Sequence, residues 1–289
     1  MIVVFGGSGY LGNELCKYFS KKNKLLIGTY YGSQKKNLKY FDLENPNLDT
    51  LGIKLSKVKY ALISAGISKI DDCKKDERKA YEINVRGTKN LIEQLFDLKI
   101  IPVFFSSENV FNGEKGNYTE LDKTNPSNVY GTHKKIIEDF LKKSDEEYLI
   151  IRLSRVFGVT PKDGTLLTSV AEKLMNNETI YSATDQISSI LYIEDLVRVL
   201  DIALEKNLRG LYNFGSPEPF GRYEITKMVK KHLGISSGKI IPCIINSLGF
   251  PDLRPLNTSF DLKKLIQDTG FEFTPMEECL NKLKENYRI

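Results

Sequence analysis

A tyrosine stands four residues before a lysine in the segment NPSNVYGTHK, at Tyr130 and Lys134. On a helix this spacing puts both side chains on one face, where they can act together. A lysine beside a phenol can lower the pKa of the phenol and make it a proton donor or acceptor. The spacing alone does not identify a site. It recurs three more times, at Tyr18 and Lys22, Tyr31 and Lys35, and Tyr223 and Lys227.

A glycine-rich segment near the N-terminus predicts a nucleotide site. The apolar run MIVVF predicts a buried strand, and it is followed at once by GGSGYLG and a segment with helical periodicity. Gly6, Gly9 and Gly12 therefore lie on a strand-to-helix turn, where backbone N–H groups and the helix N-terminus can approach a pyrophosphate. We expect this turn, with Tyr10 and Leu11, to bind a dinucleotide coenzyme.

The second predicted strand, residues 24–31, bears on the type of coenzyme. An NAD site would carry an acid at the end of this strand for the ribose 2′-hydroxyl. No Asp or Glu occurs between residues 15 and 41, whereas Tyr30 ends the strand and Lys35 and Lys36 follow it. Because lysines attract a 2′-phosphate, the segment favours NADPH over NADH.

Apolar runs alternate with amphipathic segments through the first 158 residues. This rhythm predicts an α/β fold of the Rossmann type, a doubly wound parallel sheet. Ligands of such folds bind at the carboxyl ends of the strands, which indicates Ala65 and Gly66 after one strand and Ser107 at the end of another.

After about residue 158 the alternation loosens, although residues 188–204 and 211–215 read as elements that return to the sheet. We therefore predict a dinucleotide-binding domain of residues 1–158 plus about 188–215. A smaller C-terminal substrate-binding lobe would contain about 159–187 and 216–289.

The predicted elements select one of the four tyrosines. Tyr18 lies on the helix behind the glycine turn, Tyr31 lies at a strand end where the spacing is too extended, and Tyr223 lies in the outer lobe. Tyr130 begins the helix that follows the strand ending at Ser107, and Pro126 just ahead is typical of a helix start.

These residues suggest a carbonyl reduction. Ser107 would bind the carbonyl oxygen, and Tyr130 would donate its proton as hydride reaches the carbon. Lys134 has a free pKa near 10.4 and is too basic for that step, so it would hold the nicotinamide ribose and favour the Tyr130 anion. His133 would point about 100° away on the helix and lie at the surface.

Composition excludes several other classes. The 289 residues carry a net charge of +5, with 41% apolar and 27% charged residues. Lysines are interleaved with acids, which disfavours nucleic acid, and no apolar run is long enough for a membrane. Four scattered cysteines and the absence of a secretory signal predict a cytoplasmic protein without a metal or disulfides, and a homodimer is one open form of assembly.

Several motifs in order resemble one family: GGSGYLG, SAG, AYEINVRGT, FFSSENVFNG, NPSNVYGTHK, IIRLSRVFG and RPLNTSFD. The chain is similar to the extended short-chain dehydrogenases/reductases, and within them to dTDP-4-dehydrorhamnose reductases and related sugar-nucleotide reductases. The resemblance implies NAD(P)H-dependent reduction of the 4-keto group of a nucleotide-linked sugar, for surface polysaccharide biosynthesis.

The resemblance also implies roles for single residues. Ser107, Tyr130 and Lys134 take the catalytic positions. Further positions are implied for Asn84 as the family asparagine, for Asp42 and Leu43 at the adenine, and for Arg254 and Asn257 near the nucleotide sugar, where a guanidinium can clamp a diphosphate.

Departures from the family pattern leave alternatives open. Asn109 stands where an aromatic residue usually faces the sugar, and residues 187–191 replace a G-x-P-T segment, so the sugar is open. Asn109 also disfavours a 4,6-dehydratase, because an amide cannot act as the base. A 4-epimerase with tightly bound NAD and a non-catalytic NADP-binding regulatory subunit remain as alternatives.

Overall fold

The computed structural model describes residues 1–32 and 34–288. It divides into two compact units. Unit 1 contains Met1–Val110, Thr124–Arg152 and Leu204–Tyr212, and unit 2 contains Phe111–Lys123, Leu153–Ala203 and the residues from Asn213 onward. This division differs from the predicted one, because residues 188–203 belong to unit 2 and not to the dinucleotide-binding part, and residues 111–123 also join unit 2.

The strands of the described residues are β1 (Ile2–Phe5), β2 (Leu25–Tyr30), β3 (Leu38–Tyr40), β4 (Tyr60–Ile63), β5 (Ile101–Ser107), β6 (Leu149–Leu153), β7 (Val156–Phe157), β8 (Thr179–Ala183), β9 (Ile187–Ser188), β10 (Leu191–Tyr192), β11 (Gly210–Phe214), β12 (Phe220–Gly221) and β13 (Lys239–Cys243). The α-helices of the same residues are α1 (Tyr10–Lys21), α2 (Ile70–Lys75), α3 (Glu77–Tyr81), α4 (Thr88–Asp97), α5 (Val129–Lys142), α6 (Leu166–Met175), α7 (Ile193–Glu205), α8 (Arg222–His232), α9 (Lys263–Thr269) and α10 (Met276–Tyr287).

Unit 1 is built on a parallel sheet, which within the described residues has seven strands in the order β11–β6–β5–β4–β1–β2–β3. The predicted doubly wound parallel sheet is therefore confirmed. All residues of β1, β4 and β5 are buried, as expected for strands covered by helices on both faces. The order of the strands reverses between β1 and β4, the point where such sheets bind ligands.

The segment between α3 and α4 is not regular α-helix. Residues Glu82–Gly87 form a π-helical turn, whose wider backbone spacing is often found at functional sites. The turn brings the backbone at Gly87 so close to the chain after β3 that a Cβ atom there would lie 1.7 Å from the Leu43 carbonyl oxygen.

Unit 2 contains small pairs of strands: β7 with β10, β9 with β12, and β8 with β13. Residues 188–204 were predicted to return to the central sheet, but β10 pairs with β7. Helix α7 follows β10 directly and also begins in unit 2. No helix in the described part of the chain combines the length and apolar character that crossing a membrane requires.

Candidate active site

The start of α5 is defined by an asparagine that the sequence reasoning did not single out. The Asn128 side-chain oxygen accepts a hydrogen bond from the Gly131 backbone N–H at 2.8 Å, which makes Asn128 the N-cap. Asparagine is a preferred cap because its side chain satisfies a free N–H of the first turn, and this preference was the available signal. Pro126, taken as the helix start, lies outside the helix.

The Ser107 side chain lies beside the Tyr130 phenol, close enough to act on its pKa. The Ser107 oxygen accepts two hydrogen bonds from Asn109, from its backbone nitrogen at 3.2 Å and its side-chain Nδ2 at 3.0 Å. Asn128 in turn donates to the Asn109 side-chain oxygen at 3.1 Å. Because a hydroxyl has two acceptor sites and one hydrogen, these bonds from Asn109 leave the Ser107 hydrogen free to be donated.

Burial raises the pKa of the Tyr130 phenol, and the nearby Cys73 and Glu108 act in the same direction. The Ser107 side chain opposes these effects without cancelling them. The sequence-based expectation of a lowered pKa is therefore wrong for this structure, because desolvation outweighs the opposing effect of Ser107. The phenol is neutral at physiological pH and carries a proton that it can donate.

Lys134 lies on the same helix face as Tyr130, with its Nζ 5.5 Å from the centre of the Tyr130 ring. The ammonium donates a hydrogen bond of 2.7 Å to the Phe105 carbonyl oxygen on β5. Burial lowers the pKa of Lys134 to about 8, while the nearby Cys73 and Glu138 act to raise it. Lys134 thus titrates close to physiological pH.

His133 was predicted to lie at the surface, but it is buried, with 5% of its area exposed. Its ring meets the edge of the Tyr81 ring at 5.8 Å between centroids. Desolvation lowers the pKa of His133, and it keeps the imidazole neutral. The expected surface position is wrong because the Tyr81 ring at the end of α3 covers the His133 side chain.

A cavity of about 370 Å³ opens at the switch point between β1 and β4. The predicted coenzyme residues that line it are Gly6, Gly9, Tyr30, Asp42, Leu43, Ala65 and Gly66. Thr29, which the sequence reasoning missed, orients the turn by accepting a hydrogen bond of 3.0 Å from the Gly6 nitrogen. The cavity lies where dinucleotides bind in such sheets, and its volume falls in the range of ligand pockets.

Gly12 and Leu11 do not line this cavity but belong to the helix behind the turn. A Cβ atom at Gly12 would lie 2.1 Å from the Gly6 carbonyl oxygen, so only glycine lets α1 approach the turn this closely. Leu11 is half-buried on α1. Their predicted part in coenzyme binding is therefore indirect, through the shape of the turn.

A second cavity of about 530 Å³ lies on the α1 side of the turn. Gly9 and Tyr10 line it together with Lys17, Lys35 and Lys36. The two lysines after β2 thus lie beside the glycine turn, as the sequence suggested. Lys17 on α1, which the sequence reasoning missed, adds a third cation to the lining. It forms an ion pair with Glu14 at 2.7 Å.

The whole chain, residues 1–289, matches the family model described as RmlD substrate binding domain. The chain belongs to this family. Among its relatives, the ADP-L-glycero-D-manno-heptose-6-epimerase of Brachyspira hyodysenteriae is 28% identical over 294 residues, which cover 92% of this chain and 90% of the relative.

Solved structures share the fold of this RmlD-family chain. A hypothetical dTDP-4-dehydrorhamnose reductase from Sulfolobus tokodaii is 25% identical, with a TM-score of 0.81 and coverage of 96% of this chain and 98% of that one. The dTDP-4-dehydrorhamnose reductase of Bacillus anthracis, solved in complex with NADP, is 22% identical, with a TM-score of 0.83 and coverage of 98% and 97%.

Asn84, the asparagine implied by the family motif, clamps the loop after β4. Its side chain accepts a hydrogen bond from the Ile67 nitrogen at 2.8 Å and donates one to the Ile67 oxygen at 2.9 Å. The clamp holds Gly66 so tightly that a Cβ atom there would lie 2.8 Å from the Asn84 oxygen. Asn84 thereby shapes one wall of the cavity at the switch point.

The remaining predicted residues of this RmlD-family chain, Arg254 and Asn257, lie in unit 2. The Arg254 guanidinium lies 4.5 Å from the centre of the Phe250 ring and donates to the Asp252 carbonyl oxygen at 3.1 Å. The Asn257 side-chain oxygen accepts hydrogen bonds from the Ser259 nitrogen at 3.1 Å and hydroxyl at 2.8 Å. Asn257 therefore organises its own loop, in addition to any contact with a ligand.

Proposed function

We propose that this protein reduces the 4-keto group of a nucleotide-linked sugar with NAD(P)H, like a dTDP-4-dehydrorhamnose reductase, for surface polysaccharide biosynthesis. The observation that carries the proposal is the position of Tyr130 beside Ser107 in the first turn of α5, with the Lys134 amine on the same helix face. None of the cysteines among the described residues of the protein forms a disulfide, which fits a reducing cytoplasm.

The residues around the two cavities fit a nicotinamide coenzyme, and NADP is what the Bacillus anthracis structure contains. Gly6, Gly9 and Gly12 would shape the diphosphate turn, and Asp42 and Leu43 would hold the adenine end. Lys35 would favour the 2′-phosphate of NADPH. The bound coenzyme supplies the hydride.

The protein's own side chains would manage the proton. Tyr130 donates its phenolic proton to the carbonyl oxygen of the substrate, while the Ser107 hydroxyl gives the same oxygen a hydrogen bond. The Lys134 ammonium holds the nicotinamide ribose and stabilises the phenolate that Tyr130 leaves behind. Because the pKa of the phenol is raised, the proton-donating form is the one present before the reaction.

On the substrate side, Arg254 would clamp the diphosphate of the nucleotide, since a guanidinium binds phosphate oxygens in pairs. Asn257 would hold the loop beside it, through its bonds to Ser259. Asn109 would contact the sugar near Ser107. These assignments extend the family resemblance.

The test is a panel of dTDP-, GDP- and UDP-linked 4-keto sugars, assayed for NADPH oxidation with Tyr130→Phe. Loss of the proton donor should reduce kcat at least about 100-fold, in line with general-acid contributions. Tyr223→Phe is the matched control, because Tyr223 has the same spacing to a lysine on α8. Near-wild-type turnover of Tyr130→Phe would refute the role.

A sugar-nucleotide epimerase is the second candidate, because the Brachyspira relative bears that name. It would retain tightly bound NAD and interconvert substrate and product without net consumption of coenzyme. Coenzyme that stays with the protein through gel filtration, together with epimer formation in the absence of added NADPH, would favour this candidate over the reductase.

A further inference from the structure

Successive residues at the end of β5 contact successive turns of α5. The Phe105 carbonyl accepts a hydrogen bond from Lys134 at 2.7 Å, the Ser106 hydroxyl donates one to Glu138 at 2.6 Å, and the Ser107 side chain lies beside Tyr130. The helix residues at 130, 134 and 138 follow at intervals of four, so they share one face. Glu138 is thus the third member of a row whose other two members are the proposed catalytic residues.

Glu138 is fully buried, with 0% of its area exposed, and its carboxylate is held on every side. Arg152 on β6 donates to both oxygens, from Nε at 2.9 Å and from a terminal nitrogen at 2.7 Å, and Lys142 donates at 3.0 Å. Burial alone would raise the pKa of Glu138, but the bonds and charges of Arg152 and Lys142 bring it below the usual value. The carboxylate is therefore ionised one helical turn from Lys134.

We propose that Glu138 is a positioning residue for Lys134: held by Arg152, its carboxylate fixes α5 against the end of β5 and supplies the negative charge that stabilises the Lys134 ammonium. A buried cation loses hydration, and a fixed anion nearby offsets that loss. The proposal rests on the proposed function where it concerns turnover, but the coupling of the two groups is a property of the protein alone.

The other titratable groups around the pair come from α2, the segment after β5, β6 and α5 itself. Cys73 on α2 acts on both Tyr130 and Lys134, and Glu108 after β5 acts on Tyr130. Arg152 on β6 and Lys142 on α5 act on Glu138. Removing the Glu138 charge should therefore make Lys134 easier to deprotonate, whereas removing only the Lys142 charge, with Arg152 left to keep Glu138 ionised, should make it harder.

The experiment measures the protonation of Lys134 directly, by amine labelling of the intact protein over a pH series with mass spectrometry of the Lys134 peptide. Only the neutral amine reacts, so the labelling midpoint reports its pKa. Glu138→Gln should move the midpoint down by roughly one pH unit, the effect of an adjacent charge. Lys142→Gln should move it up, because Arg152 still keeps the Glu138 carboxylate ionised, and Asp139→Asn, the neighbouring acid paired with Lys135, should leave it unchanged.

Opposite shifts separate this role from a structural one, because mere loosening of the site would move both variants in the same direction. Lys142→Gln keeps the test available if Glu138→Gln does not fold. The Lys142 side chain is 35% exposed, and its replacement should move the midpoint up. An unchanged midpoint in the folded variants, or shifts of one sign, would overturn the proposal.

Turnover provides a second readout. The alkaline limb of the kcat profile should follow the labelling midpoint, moving to lower pH in Glu138→Gln. If the wild type turns over no keto sugar while the midpoints shift as expected, the proposed function fails and the coupling stands. If activity is present but the midpoints do not move, the coupling fails alone.

Discussion

At the scale of single residues, Tyr130 and Lys134 show how burial acts in opposite directions on an acid and a cation. Desolvation raises the pKa of the phenol and lowers that of the amine to about 8. The neutral phenol and the ammonium therefore coexist below pH 8, which is the state that a proton donor with a supporting cation needs. Above that pH the Lys134 ammonium loses its proton before the Tyr130 phenol does.

The lysines of the second cavity yield a prediction about coenzyme choice. Replacing Lys35 and Lys36 by Ala should lower kcat/KM for NADPH at least about tenfold, because a charge-assisted bond to the 2′-phosphate contributes roughly 1.5–3 kcal/mol. kcat/KM for NADH should stay the same. Lys39→Ala is the control, since this exposed lysine on β3 does not line the cavity. A wild-type preference for NADH would contradict the role of both lysines.

At the scale of elements, the site depends on how closely α5 approaches the loop after β5. Asn109 bonds Ser107 and Asn128, so the loop connects the strand end to the helix cap. Gly131 in the first turn of α5 makes this approach possible. A Cβ atom there would lie 1.9 Å from the Asn109 carbonyl oxygen, which is backbone and cannot rotate away.

Gly131→Ala should therefore push the helix and the loop apart. We expect a loss of about 1–3 kcal/mol in the free energy of unfolding, as for other overpacked sites, and a fall in kcat because Ser107 moves from Tyr130. Urea denaturation and the reductase assay measure the two effects. Gly32→Ala, where no heavy atom lies within 4 Å of the added Cβ, should change stability by less than about 0.5 kcal/mol.

At the scale of the whole molecule, His133 links folding to pH. Burial lowers the pKa of His133, the Lys134 charge adds to this, and Glu77 opposes it. An unfolded histidine has a pKa of about 6.5, so as pH falls below that value the unfolded chain binds a proton that the folded protein does not bind. The free energy of unfolding must therefore decrease as the pH is lowered through this window.

His133→Phe should flatten this pH dependence, because phenylalanine keeps a ring against Tyr81 and has no proton to bind. Urea denaturation at several pH values between about 6.5 and 5 gives the slope, which is proportional to the difference in bound protons. His232→Phe serves as the control for replacing a histidine elsewhere in the chain, since the His232 ring bonds Asn281 on unit 2. Equal slopes in His133→Phe and the wild type would rule out this linkage.

Local patterns in the sequence were sufficient for the glycine turn, the buried strands and the position of Tyr130 at the start of the helix after β5, because apolar runs and helical spacing are properties of neighbouring residues. The bonds of Asn109 to Ser107 and Asn128, the burial of His133 and the Glu138–Arg152 pair depend on which elements meet, so only the tertiary structure decided them. The same holds for residues 188–203: their apolar pattern suits any sheet, and the pairing of β10 with β7 assigned them to unit 2.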